Sequence, residues 1–259
     1  MQTLSWSTGM LLLVAACPSA AAEQCTARSG AETMPLVELY TAEGCNTCPP
    51  ADRWMSKRIT DTETNWLAFH VDYWDKEGWV DRFASPLNTQ RQRARVILAE
   101  GKDAIYTPQV MVGMKVQAPW REDGRFNRVL KEARQPAPVA LALQAQPQGK
   151  SWNVRIDATR AAGVAAVPAE LWLTQYIDDQ TTRPRAGENR GVTLHHDRVV
   201  HKVWGPWKVG NDALSKSVAV EAETSPWGMT AFVQDARGNT LQSISLPATA
   251  CAAASTASR

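Results

Sequence analysis

The residues best equipped for chemistry are Cys45 and Cys48, separated by Asn46 and Thr47 in "LVELYTAEGCNTCPPAD". Two thiols at this spacing can close a disulfide, exchange with another disulfide, or supply two ligands to a soft metal. In exchange, one thiolate attacks a foreign disulfide and the second thiol resolves the mixed species. A structural zinc site needs about four ligands, and no second C-x-x-C or H-x-x-x-H accompanies the first. Soft thiolates also select Cu(I), with His70 or Met111 as further donors. A redox dithiol, a Cu(I) binding or delivery pair and a static disulfide all stay open on the residues alone.

Any of these chemistries depends on the elements that present the sulfurs. The apolar run "PLVELYTA" reads as a strand and "PADRWMSKRI" as a helix directly after the cysteines. "NWLAFHVDYW" is a second buried-type strand, and "SPLNTQRQRARVILAEG" a helix with Ser85 as N-cap, Pro86 at N1 and Gly101 as C-cap. "PQVMVGMKVQA" suggests a hairpin turning near Gly113, and "REDGRFNRVLKEARQ" a last helix before "QPAP" at 135–138. The order is β-α-β-α-β-β-α. Parallel strands joined by right-handed crossovers bring their C-terminal ends to one edge, where ligands bind. Cys45, Cys48, the segment Asp72, Tyr73, Trp74 and the pair Thr107, Pro108 are therefore expected together on that edge.

The C-x-x-C after the first strand, this element order and a Thr-Pro before the third strand resemble the thioredoxin superfamily over 36–134. With "FHVDYWD", "FASP", "RQR", "YTPQVMV" and "AGENRGVTLHHDRVV", the chain resembles a family of exported bacterial thioredoxin-like proteins labelled as a domain of unknown function. The resemblance implies Cys45 as an exposed nucleophile, Cys48 as a buried resolving thiol and Pro108 as a cis-proline beside them. Thr107 and the 72–74 segment would then contact substrate. Two departures matter: Pro49 and Pro50 lack donors and should delay the start of the helix. Glu38 lies seven residues before Cys45 instead of six, so it is not assigned as a general base.

Past the linker the hydrophobic period changes to two. "VALALQAQ", "WNVRIDAT", "AELWLTQYI", "RVVHKVW", "SVAVEAE", "GMTAFVQDA" and "LQSISLP" read as seven strands. The expected architecture is an α/β thioredoxin-like domain at 33–135 followed by an all-β sandwich at 138–247 and a C-terminal tail at 248–259. In that second unit "AGENRG" is expected to be a turn serving backbone conformation, and the Trp residues 172, 204, 207 and 227 to fill the core. His70 is expected in the sheet, and His195, His196, His201 and Asp197 show no metal-ligand spacing. Arg91 and Arg95 share a helix face and are assigned to solvated surface.

The ends and the composition bound the setting. Residues 1–22 lack charge and carry "MLLLVAA" before small residues, the pattern of a secretory signal peptide, with a lipoprotein-type box at Cys17 as the rival. The expected location is periplasmic or secreted. No later apolar run approaches the ~20 residues of a membrane span. A net charge of +2 and scattered Lys and Arg point away from nucleic acid. The expected partners are protein or small-thiol disulfides, and no cofactor is required. Beyond the C-x-x-C, Cys25 and Cys251 sit near the two ends. Pairing them with each other leaves the dithiol free, so a structural Cys25 to Cys251 disulfide is expected.

Overall fold

The computed structural model describes residues 25–165 and 167–251. The signal segment 1–22, Cys17 and most of the tail at 248–259 lie outside the described residues. The chain runs β1 (Cys25–Arg28), β2 (Leu36–Thr41), α1 (Pro49–Ser56), β3 (Asn65–His70), a 3-10 turn (Asp72–Glu77), α2 (Pro86–Glu100), β4 (Gln109–Val112) and α3 (Asp123–Ala133). It continues as β5 (Val139–Gln148), β6 (Ser151–Arg160), β7 (Ala169–Ile177), β8 (Gln180–Thr182), β9 (Leu194–His196), β10 (Val199–Val209), β11 (Leu214–Glu221), β12 (Trp227–Asp235) and β13 (Thr240–Pro247).

These strands form one seven-stranded mixed sheet in the order β13-β12-β7-β10-β3-β2-β4, a four-stranded antiparallel sheet β1-β5-β6-β11 and the small ribbon β8-β9. The expected thioredoxin-like domain followed by a separate β-sandwich is therefore incorrect. The protein is mostly β, and β10 from the second half pairs in parallel with β3 from the first, Val199 opposite Ala68. The expected hairpin at Gly113 yields a lone bridge between Val112 and Lys115 instead of a fourth strand. The seven expected segments correspond to β5, β6, β7 and β10 to β13, while the short β8 and β9 were not expected, and the pattern is silent on which strand neighbours which, since β3, apolar on both faces, is paired on both edges.

The core crosses the same seam. Leu36, Tyr40, Cys45, Cys48, Phe69 and Met111 pack in one cluster with Tyr176, Val200 and Phe232 from the second half. On the other side of β2 and β3, Met55 of α1 and Phe126 of α3 cover Val37, Leu39, Trp66 and Ala68. The 135–138 segment is pinned as well, since Gln135 O accepts from Thr33 N at 2.8 Å and Ala137 N donates to Ala31 O at 2.8 Å.

Arg91 and Arg95 fasten α2 to this sheet, which corrects their assignment to solvated surface. Glu38 on β2 is 1% exposed and accepts from Arg91 Nε at 2.9 Å, Tyr40 Oη at 2.9 Å, Gln234 Nε2 at 3.1 Å and Arg95 Nη1. Burial alone would raise the Glu38 pKa, but the two guanidinium groups hold the carboxyl well below its usual range. The Arg91 guanidinium also lies 5.1 to 5.5 Å from the ring centres of Phe69, Trp172 and Phe232.

Candidate functional site: an enclosed cysteine pair at the end of β2

The chain leaves β2 at Thr41 and turns through Glu43, Gly44 and Cys45 into α1. Cys45 N donates to Ala42 O and Cys48 N to Cys45 O, both at 3.2 Å, which coils the segment into consecutive turns. The helix starts at Pro49, with Cys48 as N-cap, so the two prolines do not delay it. They occupy the first two helical positions, where a missing N–H costs no intrahelical bond. Cys45 and Cys48 are joined as a disulfide, their Cα atoms 5.5 Å apart, and Thr47 Oγ1 lies 3.3 Å from Cys45 Sγ.

Asn46 and Thr47 are exposed, but both cysteines are fully buried. The expectation of an exposed Cys45 is thus overturned: both cysteines pack in the apolar cluster with Tyr40, Phe69 and Tyr176, and the loop at 183–192 is bonded to the backbone beside them. Asn189 Nδ2 donates to Glu43 O at 2.8 Å and Cys45 O at 2.9 Å, while Glu188 Oε2 accepts from Asn46 N at 3.0 Å. Gly187, at φ +72°, lies so close that a Cβ there would sit 3.5 Å from Trp79 Cβ and 3.9 Å from Gly44 Cα. "AGENRG" is a turn, as its glycines suggest, but its polar residues also hold down the C-x-x-C.

The 72–74 segment closes another side. A Cβ on Gly44 would meet Trp74 Cβ at 3.1 Å and Trp74 O at 3.3 Å, so the two backbone segments pack as closely as glycine allows. Trp74 Nε1 donates to Thr107 Oγ1 at 2.7 Å, and the Thr107–Pro108 peptide is cis. Tyr73 and Trp74 both pack against the cluster that holds the cysteines. Burial pushes the Tyr73 phenol up to about 12. Asp72 turns away to α2, where Thr89 Oγ1 donates to its Oδ1 at 2.5 Å. The structure thus packs Tyr73 and Trp74 against the cysteine cluster, ties Thr107 to Trp74 and gives Asp72 a bracing role.

His70 and His196, read from the sequence only singly, join Asp81, Glu43 and Asp52 in a buried ionisable set that the sequence did not reveal. His70 Nδ1 lies 2.6 Å from Asp81 Oδ2, and His196 lies 3.5 Å from Glu43 Oε1 and 3.8 Å from Asp52 Oδ2. The two imidazoles meet edge to face at 4.8 Å. Burial alone would lower the His70 pKa, but Asp81 raises it, while His70 overcomes the burial of Asp81 and holds that carboxyl at about 2. Burial keeps Asp52 above its ordinary value. Glu43 and Asp52 flank the C-x-x-C at two residues before and four after, the one signal that could have drawn attention to them. Among the described residues no set of three or more His, Cys, Asp or Glu side chains is disposed to hold a metal ion.

Cys25 and Cys251 form the second disulfide, with Cα atoms 5.0 Å apart. It joins β1 of the four-stranded sheet to the residues after β13 of the larger one, and both cysteines pack in the core between them.

Comparison with known proteins adds fold and family. The family described as "Protein of unknown function (DUF1223)" matches residues 36–234. The structure is similar to that of protein AGR_C_4864 from Agrobacterium tumefaciens, with 25% identity and a TM-score of 0.61 over 83% of this chain and 94% of that one. It is also similar to HBP35 of Porphyromonas gingivalis, at 14% identity and a TM-score of 0.59 over 84% of this chain and 76% of that one, a likeness of fold alone. No curated protein matches the chain.

Proposed function

The chain belongs to the DUF1223 family, whose description carries no reaction, and we propose from the site itself that Cys45 and Cys48 are a dithiol–disulfide exchange pair. The observation that carries this reading is the way the pair is enclosed. The sulfurs are buried although the residues between them are exposed, and the loop at 183–192 is held against the Glu43–Asn46 backbone by three hydrogen bonds involving the Glu188 and Asn189 side chains. Local opening of such a loop costs far less than global unfolding. A static disulfide needs no removable cover, and Cys25 to Cys251 already ties the two sheets.

With the loop open, a Cys45 thiolate attacks a substrate disulfide and Cys48 displaces the product from the mixed disulfide. Cys45 is assigned as the attacking sulfur because Thr47 Oγ1 lies beside its Sγ, positioned to donate to a thiolate. Two disulfides in a chain whose N-terminal sequence reads as a secretory signal support an exported protein working in an oxidising compartment. The test is a Cys48→Ala variant incubated with a disulfide-bonded protein. Exchange chemistry predicts a mixed disulfide that maps to Cys45 and dissolves on reduction; no adduct after the loop is loosened would remove the reading.

A further inference from the structure

The loop at 183–192, which is bonded to the backbone at Cys45, also lines an open cavity of about 690 Å3. Its walls include Trp79, Arg82, Thr181, Arg183, Arg185 and Arg190, and among the described residues no Asp or Glu lines it. All four arginines are exposed. Arg82 Nη2 donates to the neutral Gln180 Oε1 at 3.4 Å and its guanidinium lies 4.6 Å from the Phe83 ring centre, so it faces no counter-charge, and Arg183 Nε donates to Gly191 O at 3.1 Å. Arg185 and Arg190 have no side-chain hydrogen bond or ion pair among the described residues. Four guanidinium groups around one concavity repel one another, and a bound anion relieves that repulsion. Their planar forks match carboxylates in a bidentate way that a single surface arginine does not provide.

We propose that this arginine-lined pocket binds carboxylate groups and selects acidic disulfides as the substrates of Cys45 and Cys48, an inference that rests on the exchange reading. The pocket and the cysteines share one loop: Arg185 and Arg190 bracket Gly187 and Asn189, which lie against Gly44 and Cys45. An anion drawn to the arginines therefore arrives at the segment that must move. The indole N–H of Trp79 is already given to Glu43 at 2.5 Å, so the tryptophan offers the pocket its ring and the carbon skeleton of a ligand has an apolar wall. In the reduced protein the Cys45 thiolate attacks one sulfur of the substrate, forms the mixed disulfide and releases one acidic thiolate. The Cys48 thiolate then attacks Cys45 Sγ, restores the Cys45–Cys48 bond and releases the second. The substrate gains two electrons, the protein loses two, and solvent protons go to the thiolates according to their pKa values.

The experiment measures oxidation of the reduced full chain by three small disulfides at low ionic strength: dithiodipropionate with two carboxylates, neutral hydroxyethyl disulfide, and cationic cystamine. Each rate is divided by that of dithiothreitol with the same compound. The expected result is a preference for dithiodipropionate over cystamine of about tenfold or more, weakened by salt. A double variant, R185E with R190E, should invert the order in favour of cystamine, a gain that an unfolded protein would not give. An unchanged order in that variant, or equal normalised rates in the parent protein, overturns the proposal while leaving exchange intact. No oxidation by any of the three defeats the exchange reading itself, and the substrate proposal falls with it.

Discussion

Asn189 carries the enclosure at the scale of one residue. Its amide satisfies two backbone carbonyls, those of Glu43 and Cys45, from the opposite half of the chain. Replacing it with alanine leaves both carbonyls without that donor and should cost roughly 1 to 3 kcal/mol, concentrated in the loop. The expected outcome for Asn189→Ala is a Cys45–Cys48 bond reduced about tenfold faster by dithiothreitol in native buffer, with a smaller change in global stability. Timed alkylation and peptide mapping check it. The sequence displays Asn189 as one polar residue between two turn glycines, indistinguishable from ordinary turn chemistry, because its partners lie more than 140 positions away. Cys45 and Cys48 were legible because their chemistry and spacing are local.

At the scale of elements, the Glu38 knot decides how firmly α2 seats on β2. One carboxylate holds Arg91 and Arg95 of the helix together with Tyr40 and with Gln234 of β12. Glu38→Gln keeps the volume but leaves the buried Arg95 and the half-buried Arg91 without their counter-charge, a loss of about 3 to 5 kcal/mol. Urea unfolding should move its midpoint accordingly; a change within about 0.5 kcal/mol would mean that the knot is solvated in solution. The four-residue spacing of the arginines correctly put them on one face, and the error was to turn that face outward. Basic residues on a helix are outward by default, and only the acid buried on β2 reverses that default here. Seven of the strands from β5 to β13 were readable for a similar local reason, since a strand declares its faces in its own residues, whereas the three-residue β8 and β9 are too short to show a period.

At the scale of the whole molecule, neighbours are chosen by fit across the chain, and local pattern gives out. β10 completes the sheet begun by β2 and β3, so the loop that precedes β9 and β10 arrives over the cysteines. The four pocket arginines come from positions 82 and 183–190 and were lost in a nearly balanced net charge of +2. The same architecture provides an internal standard, because one disulfide joins the two sheets through the core and the other lies under a loop. The most direct measurement is therefore the rate of reduction of each disulfide by dithiothreitol in the folded protein, followed by alkylation and mass spectrometry across a urea series. An exchange pair beneath a local cover predicts that Cys45–Cys48 opens first, with a rate nearly independent of urea below the unfolding transition, while Cys25–Cys251 follows global unfolding. Reduction of both bonds together, only at the rate of global unfolding, would contradict it and leave Cys45–Cys48 a structural crosslink.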